Sequence, residues 1–492
     1  MSSASSPTVT APAGIHNRRW LGLAVIATAQ LMVVLDASIV NIALPSAQMD
    51  LGISDANRQW VVTAYTLAFG GLLLLGGRIA DYVGRKRMFL VGLIGFAAAS
   101  ALGGLAQSGG MLFASRALQG AFAAMLAPAA LSLITVTFVE PKERAKAFGV
   151  YGAIAGGGAA IGLVLGGILT EYASWRWCLL VNVPIALVAF FAAIPMLAES
   201  RAEGNRKYDI PGAITVTAGL VAMVYGFTKA ATDGWASAVT LGFIGASLVL
   251  LTAFVIIESR SSHPLLPLRV VLDRNRGGSF ITSLMVGVAL FGMFLFLTFY
   301  MQGTLGYSAL RSGFAFLPFS AGVILSAGAA SRLLPRFGPR PVMTTGLILG
   351  MIGMAWLTQI GVDTAYLTHV MPSMILLSVG MGLTFVPLSS TALTGVQKHD
   401  AGVASAMVNT TQQIGGSLGT ALLNTIAASA TTAFVVAHGG QAALPEGIVH
   451  GYTVAFTWGA GIMAVAAIVT FTMIKPQQHE LEPTSEHTVL VG

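Results

Sequence analysis

The chain has 492 residues, 55% of them hydrophobic and only 9% charged, with a formal charge of +7 and a mean hydropathy of +0.79. Soluble domains carry roughly 25% charged residues, so this chain cannot cover itself with a water-facing surface; it reads as an all-α polytopic membrane protein, and its positive charge as basic loops rather than a nucleic-acid surface. The single cysteine, Cys178, offers neither an internal disulfide nor a metal cluster, and no metal or cofactor is expected.

Residues 1–19 are rich in Ser, Thr, Pro and Ala and read as a flexible tail. Arg18-Arg19 precedes an apolar run too long for the core of a signal peptide. Apolar runs long enough to cross about 30 Å of hydrocarbon as helices follow one another along the chain. They are Leu21–Leu44, Trp60–Gly77, Met88–Ala106, Met111–Phe138, Ala147–Leu169, Leu179–Leu197 and Pro211–Phe227, then Val239–Ile257, Phe280–Gln302, Gly313–Leu334, Val342–Ile360, Val370–Leu393, Val403–Ala428 and Tyr452–Ile474. Fourteen spans put both termini on one side. With that side cytoplasmic, only Arg58, Arg176, Lys229 and Arg311 of the 26 Lys and Arg fall outside. Arg116 lies within the membrane, and the other 21 are cytoplasmic, as the positive-inside rule requires.

The stretch from Ser54 to Gly84 is echoed from Ser308 to Gly338, each with a span followed by a basic, Gly-containing turn. This offset makes spans nine to fourteen a second copy of spans one to six. The expected organisation is a six-helix bundle over 20–198, two linker helices over 199–276, a second six-helix bundle over 277–475 and a tail over 476–492. Repeated halves around a midplane site are the architecture of secondary transporters.

Within the spans two ionisable residues stand at depth, Asp36 and Arg116. Asp36 lies about 13 Å along the helix from the outer end of span one, and Arg116 about 8 Å from the same side of span four. Charges at such depth are costly and mark substrate or ion pathways, so a proton-coupling or substrate-charge pair is the expectation. Amides facing lipid would be unsatisfied, which makes Asn41, Gln119, Asn409 and Gln412 candidate cavity contacts. Span nine adds aromatic side chains, Phe294 and Tyr300 among them. None of the eight histidines sits mid-span, which speaks against a membrane-embedded enzyme.

Between spans two and three, Gly77-Arg78-Ile-Ala-Asp81-Tyr-Val-Gly84-Arg85-Lys86-Arg87 packs four cations and an acid into a short turn. Its glycines permit a tight turn, and Asp81 is expected to cap the next helix or to pair with an arginine across the two halves. This loop resembles the signature loop of the major facilitator superfamily, with Tyr82 where a basic residue is common. Leu35-Asp-Ala-Ser-Ile-Val-Asn-Ile-Ala-Leu-Pro45, Arg116-Ala-Leu-Gln-Gly120 and Asn409-Thr-Thr-Gln-Gln-Ile-Gly-Gly-Ser-Leu-Gly419 resemble segments of its 14-helix drug:proton antiporter branch. In span five, Gly152, Gly158, Gly162, Gly166 and Gly167 are similar to a Gly-rich hinge of that branch, with Leu163 where the branch has proline.

The resemblance implies a major-facilitator fold and a monomeric drug exporter driven by protons. It also implies a conformational switch in the 77–87 loop and a pliable, closely packed fifth span. The missing proline leaves an uptake symporter or facilitator as the alternative. Arg outnumbers Lys 19 to 7 amid abundant Ala and Gly, the composition of a GC-rich bacterial genome, so the expected location is a bacterial inner membrane.

Overall fold

The computed structural model describes residues 13–201, 209–261, 264–396, 401–438 and 440–475. Among them all regular structure is helical. A first group comprises α1 (Ala13–Asp50), α2 (Trp60–Val83), α3 (Arg85–Gly104), α4 (Gly109–Thr137), α5 (Pro141–Tyr172), the one-turn α6 (Trp177–Leu180) and α7 (Asn182–Met196). There follow α8 (Ile210–Asp233), α9 (Ala238–Arg260) and the short α10 (Leu268–Val271). The last group comprises α11 (Arg274–Phe299), α12 (Ala309–Ala315), α13 (Leu317–Phe337), α14 (Pro339–Leu357), α15 (Met371–Leu393), α16 (Ala401–Ala437) and α17 (Leu444–Met473).

Thirteen helices among the described residues are long and apolar enough to cross a membrane, and α5 contributes a shorter apolar stretch, Gly158–Tyr172. These correspond to the fourteen expected spans, with some changes of outline. α1 runs through Pro45 to Asp50, and α16 runs on to Ala437. Span ten is divided at Phe316 into α12 and α13, with Pro318 in the first turn of α13, where its missing N–H leaves no intrahelical bond unmade. Helix starts are set by side-chain oxygens that accept orphan N–H groups: Ser108 for α4, Asp209 for α8, Ser237 for α9, Asp273 for α11 and Ser308 for α12.

The start of α1 and the end of α17 share one face. Near the start of α1, Arg19 pairs with Glu143 in the first turn of α5 at 3.0 Å. Just beyond α17, the Lys475 N–H donates to Asn275 at the start of α11. Arg78, near the end of α2, donates to the Pro264 carbonyl at 2.7 Å and joins the first group to the segment before α10. This is the terminal face, and the opposite one is the distal face.

Within the first group α2 and α3 pack on α4, and α1 packs on α5 and α7; in the last, α11 packs on α16 and α17, and α15 on α13 and α14. α8 lies against α9, α2 and α16. One apolar cluster fills the first group, around Phe89, Phe96 and Phe138. A larger one extends from the last group into the first through Ile39, Leu163, Phe296 and Phe316.

The two groups are also bonded directly at the distal end. Arg58 donates to Asn424 at 3.3 Å and lies 4.0 Å over the Phe299 ring. Asn424 donates to the Gln59 side chain and the Asp55 carbonyl. Gln302 donates to the Ile42 carbonyl, and Glu171 accepts the Leu310 N–H at 2.9 Å.

Candidate functional site

Asp36 and Arg116 are 0% and 1% exposed and meet in the centre of the first group. The Arg116 Nη1 donates to Asp36 Oδ2 at 2.6 Å and to Gln119 Oε1 at 2.8 Å, while its Nε donates to the Val61 carbonyl. The other carboxylate oxygen, Asp36 Oδ1, accepts from Gln119 at 3.0 Å and from Asn182 at 2.8 Å. Gln119 and Asn182 both donate to Ser100 Oγ, which in turn donates to the Leu179 carbonyl. The guanidinium carbon stands 4.5 Å over the Tyr65 ring.

The site thus gathers one residue or more from each of α1, α2, α3, α4 and α7, so that no lipid and little water reaches it. Three side-chain donors converge on this one carboxylate, Arg116 on Oδ2 and Gln119 and Asn182 on Oδ1. A buried pair is tolerable only when its lone pairs and protons find partners, which the Gln119 and Asn182 amides and the Val61 carbonyl supply. Adding a proton to Asp36 would leave Arg116 an uncompensated buried cation.

Sequence reasoning picked out Asp36, Arg116 and Gln119, which the structure brings together. It missed Ser100, Tyr65 and Asn182. Asn182 obeys the same rule that singled out the other amides, since it stands inside an apolar span. Ser100 and Tyr65 leave no such mark, because hydroxyl and aromatic residues are ordinary in membrane helices.

The other expected cavity residues lie elsewhere. Asn41 donates back to the Ala37 carbonyl within α1, and Asn409 is exposed. Phe294 is half-buried in an aromatic cluster with Phe316 and Phe319. Tyr300 is 0% exposed, and its hydroxyl donates to the Gly361 carbonyl at 2.7 Å. It anchors the distal loop after α14 because a buried phenol must find an acceptor. Gln412 lies on the face of α16 that packs against α11 at Gly287, whereas Gln413 faces α2 at Gly70. Gln413 is therefore the amide of this pair turned toward the other half.

In the 77–87 loop the expectation for Asp81 is also corrected. Asp81 accepts from Arg85 Nε at 3.0 Å and Nη2 at 2.9 Å, a pair one helical turn apart rather than a cap or a bridge between halves. The cap on α3 is Glu199, which accepts the N–H groups of Lys86 and Arg87 at 3.2 Å each. Gly84 adopts φ 129°, where a side chain would be strained and would meet Glu199. Lys86 donates to the Ile194 carbonyl, and Arg87 lies 3.7 Å from Glu199. Gly77 faces Pro128 of α4.

Along α5, Gly158, Gly162 and Gly166 face Val34, Ser38 and Ile39 of α1, and Gly167 faces Leu310 of α12. The surroundings of Gly152 lie outside the described residues. At Gly162 a Cβ would stand 1.9 Å from Ser38 Oγ, two residues along α1 from Asp36, so α1 and α5 are in backbone contact beside the site. Leu163, 1% exposed, sits in an unbroken helix, its carbonyl close against Gly313 of α12.

Known proteins share this chain and this fold. The puromycin resistance protein of Streptomyces alboniger is 50% identical over 480 residues, 97% of this chain and 95% of that one. The cephamycin export protein of Amycolatopsis lactamdurans is 41% identical over 82% of this chain and 84% of its own. The crystal structure of a bacterial homologue of the human lysosomal transporter Spinster, inward-facing and unoccupied, superimposes with a TM-score of 0.64. That match has 15% identity and covers 92% of this chain and 96% of the other. With residues 26–420 matching the family model as well, the chain belongs to the Major Facilitator Superfamily of membrane transporters.

Proposed function

We propose that the protein exports lipophilic cationic or amphiphilic drugs, antibiotics among them, in exchange for protons, by alternating access of its two six-helix halves. The observation that carries this reading is the buried Asp36–Arg116 pair with its three polar neighbours. The names of the relatives, one for puromycin resistance and one for cephamycin export, support the substrate class. Asp36 is the proton carrier. Ionised, it is held by Arg116, Gln119 and Asn182; protonated, it releases Arg116 and leaves the site with net positive charge. That charge repels a cationic substrate, so proton and drug exclude each other, which is the requirement for exchange. One proton crossing 100 mV supplies about 2.3 kcal/mol before any pH gradient is added.

In this reading the terminal face is cytoplasmic, the membrane is the bacterial inner membrane and a monomer suffices. The Arg58–Asn424 and Glu171–Leu310 bonds close the outer side in the state described. Everted vesicles provide the test: adding substrate to acidified vesicles should release stored protons, and Asp36→Asn should abolish that release while the protein remains folded. Full proton-coupled efflux by Asp36→Asn would refute the assignment.

Uptake by symport is the second reading, favoured by Leu163 in place of the branch's proline. It predicts that substrate and protons enter together. A drug-susceptibility panel in a pump-deficient host, with and without a protonophore, separates it from export.

A further inference from the structure

Asp36 needs a way to exchange protons with one side of the membrane while being sealed from it in the opposite state. A narrow cleft runs between α1, α2, α4 and α6, reaching Arg116 at its inner end and Trp175 at its distal end. Its wall includes Val40, Leu44 and Ala47, on the α1 face that continues from Asp36 toward the distal end, together with Leu112 and Cys178. The void holds about one water molecule, and apart from Arg116 its lining side chains are apolar or weakly polar.

Over its distal end sits a small polar cluster. Trp175 donates its indole N–H to Asp50 Oδ2 at 3.0 Å. Arg176 pairs with the same carboxylate, stacks 4.4 Å from the Trp175 ring and donates to the Ala106 carbonyl at 2.8 Å. Trp175 is 6% exposed and belongs to both structures, with its ring in the cleft and its N–H in the cluster.

We propose that this cleft is the distal barrier on the proton route to Asp36, held dry by its apolar wall and plugged by the Trp175 ring under the Asp50–Arg176 pair. The inference rests on the assignment of Asp36 as proton carrier. A water in so narrow an apolar gap lacks the two to four polar partners it needs, so the gap excludes water as hydrophobic constrictions in channels do. Asp50 and Arg176 lie at the distal surface, half-exposed or less, where a change in the spacing of α1 from α6 would separate them. Withdrawing the indole would then widen the cleft and admit a chain of waters, through which a proton passes from the distal solution to the Asp36 carboxylate. The route runs within the first helical group, apart from the space between the two halves, so the proton and the substrate reach the centre by different paths.

Cys178, the only cysteine of the chain, lines the cleft and reports on it directly. The full-length protein is reconstituted in liposomes, and the reaction of Cys178 with aminoethyl methanethiosulfonate from the distal side is timed. Trp175→Ala should accelerate labelling at least tenfold over the native chain, with Asp50→Asn giving a smaller increase in the same direction. In the same liposomes, with a pH gradient and no substrate, Trp175→Ala should admit protons several-fold faster than the native protein. Adding Asp36→Asn should abolish that leak.

Labelling rates unchanged in both folded variants would overturn the barrier. So would a leak that persists without Asp36, because the cleft would then lead elsewhere. Faster labelling with no proton leak would instead refute Asp36 as the proton carrier while leaving the cleft a water path. Should Trp175→Ala fail to fold, Leu112→Asn, which offers water a partner inside the cleft, is expected to raise both readouts.

Discussion

At the scale of single residues, the centre of the molecule is governed by the rule that a buried charge must be paired and its partners satisfied. Arg116 and Asp36 obey it with four hydrogen bonds between them and their amide neighbours Gln119 and Asn182. Arg116→Met is expected to leave an uncompensated carboxylate and to lower stability by about 3–5 kcal/mol. The double variant with Asp36→Asn should recover most of that loss, because no lone charge then remains. Thermal unfolding in detergent reads both, and equal stability of the single and double variants would show that the pair is not coupled. Asn182→Ala removes one donor to an ionised group and should cost about 1.5–3 kcal/mol in the same assay. Asp36 and Arg116 were legible in the sequence because a charge in an apolar run is conspicuous. Ser100 was not, because a hydroxyl in a membrane helix ordinarily bonds back to its own helix and nothing in its neighbours marks it as different.

At the scale of helices, contact is set by where side chains are absent. A Cβ on Gly120 of α4 would stand 2.2 Å from the Tyr65 carbonyl of α2, one residue along the chain from Gln119. Gly120→Ala therefore forces α2 away from α4, with an overpacking cost of about 1–3 kcal/mol. It also moves the Tyr65 ring under the guanidinium. The expected outcome is a lower unfolding temperature together with impaired transport, checked by thermal shift and by drug efflux from whole cells.

The turn between α2 and α3 shows the limit of motif reading. Gly84 and Gly338 were visible as repeated turn glycines, and both have positive φ, 129° and 75°. The partner that caps α3 was not visible, since Glu199 lies 113 residues from Lys86 and only tertiary packing brings them together. Glu199→Gln should retain much of the cap, whereas Glu199→Ala is expected to cost about 0.5–2 kcal/mol, again read by thermal unfolding.

At the scale of the whole molecule, the groups on either side of the linker meet through bonds at the distal end. These bonds are polar and few, suited to being broken and remade in a cycle. α8 takes part, since Gln59 donates to Thr228 and Thr425 donates to the Phe227 carbonyl. α8 is thus a third wall against α2 and α16 at the distal end, beyond a mere tether, with α9 packed on α8. Arg58→Ala combined with Asn424→Ala removes the principal distal bond and should shift the resting population toward distal-open. Distances between spin labels on the distal ends of α5 and α12 should lengthen in a larger fraction of molecules. An unchanged distance distribution would show that closure is held by the apolar contacts alone.

The sequence by itself determined what composition and local pattern govern: a many-span helical membrane protein and the two charges buried within its helices. These follow from hydrocarbon excluding unpaired polar groups and from the length a helix needs to cross it. Only the tertiary structure decided which side chains meet: that Asn182 and Ser100 complete the Asp36 site, that Glu199 rather than Asp81 caps α3, and that Tyr300 anchors a loop. Each is a contact between residues remote in the chain, and helical periodicity says which face a residue occupies but not which helix it will find there.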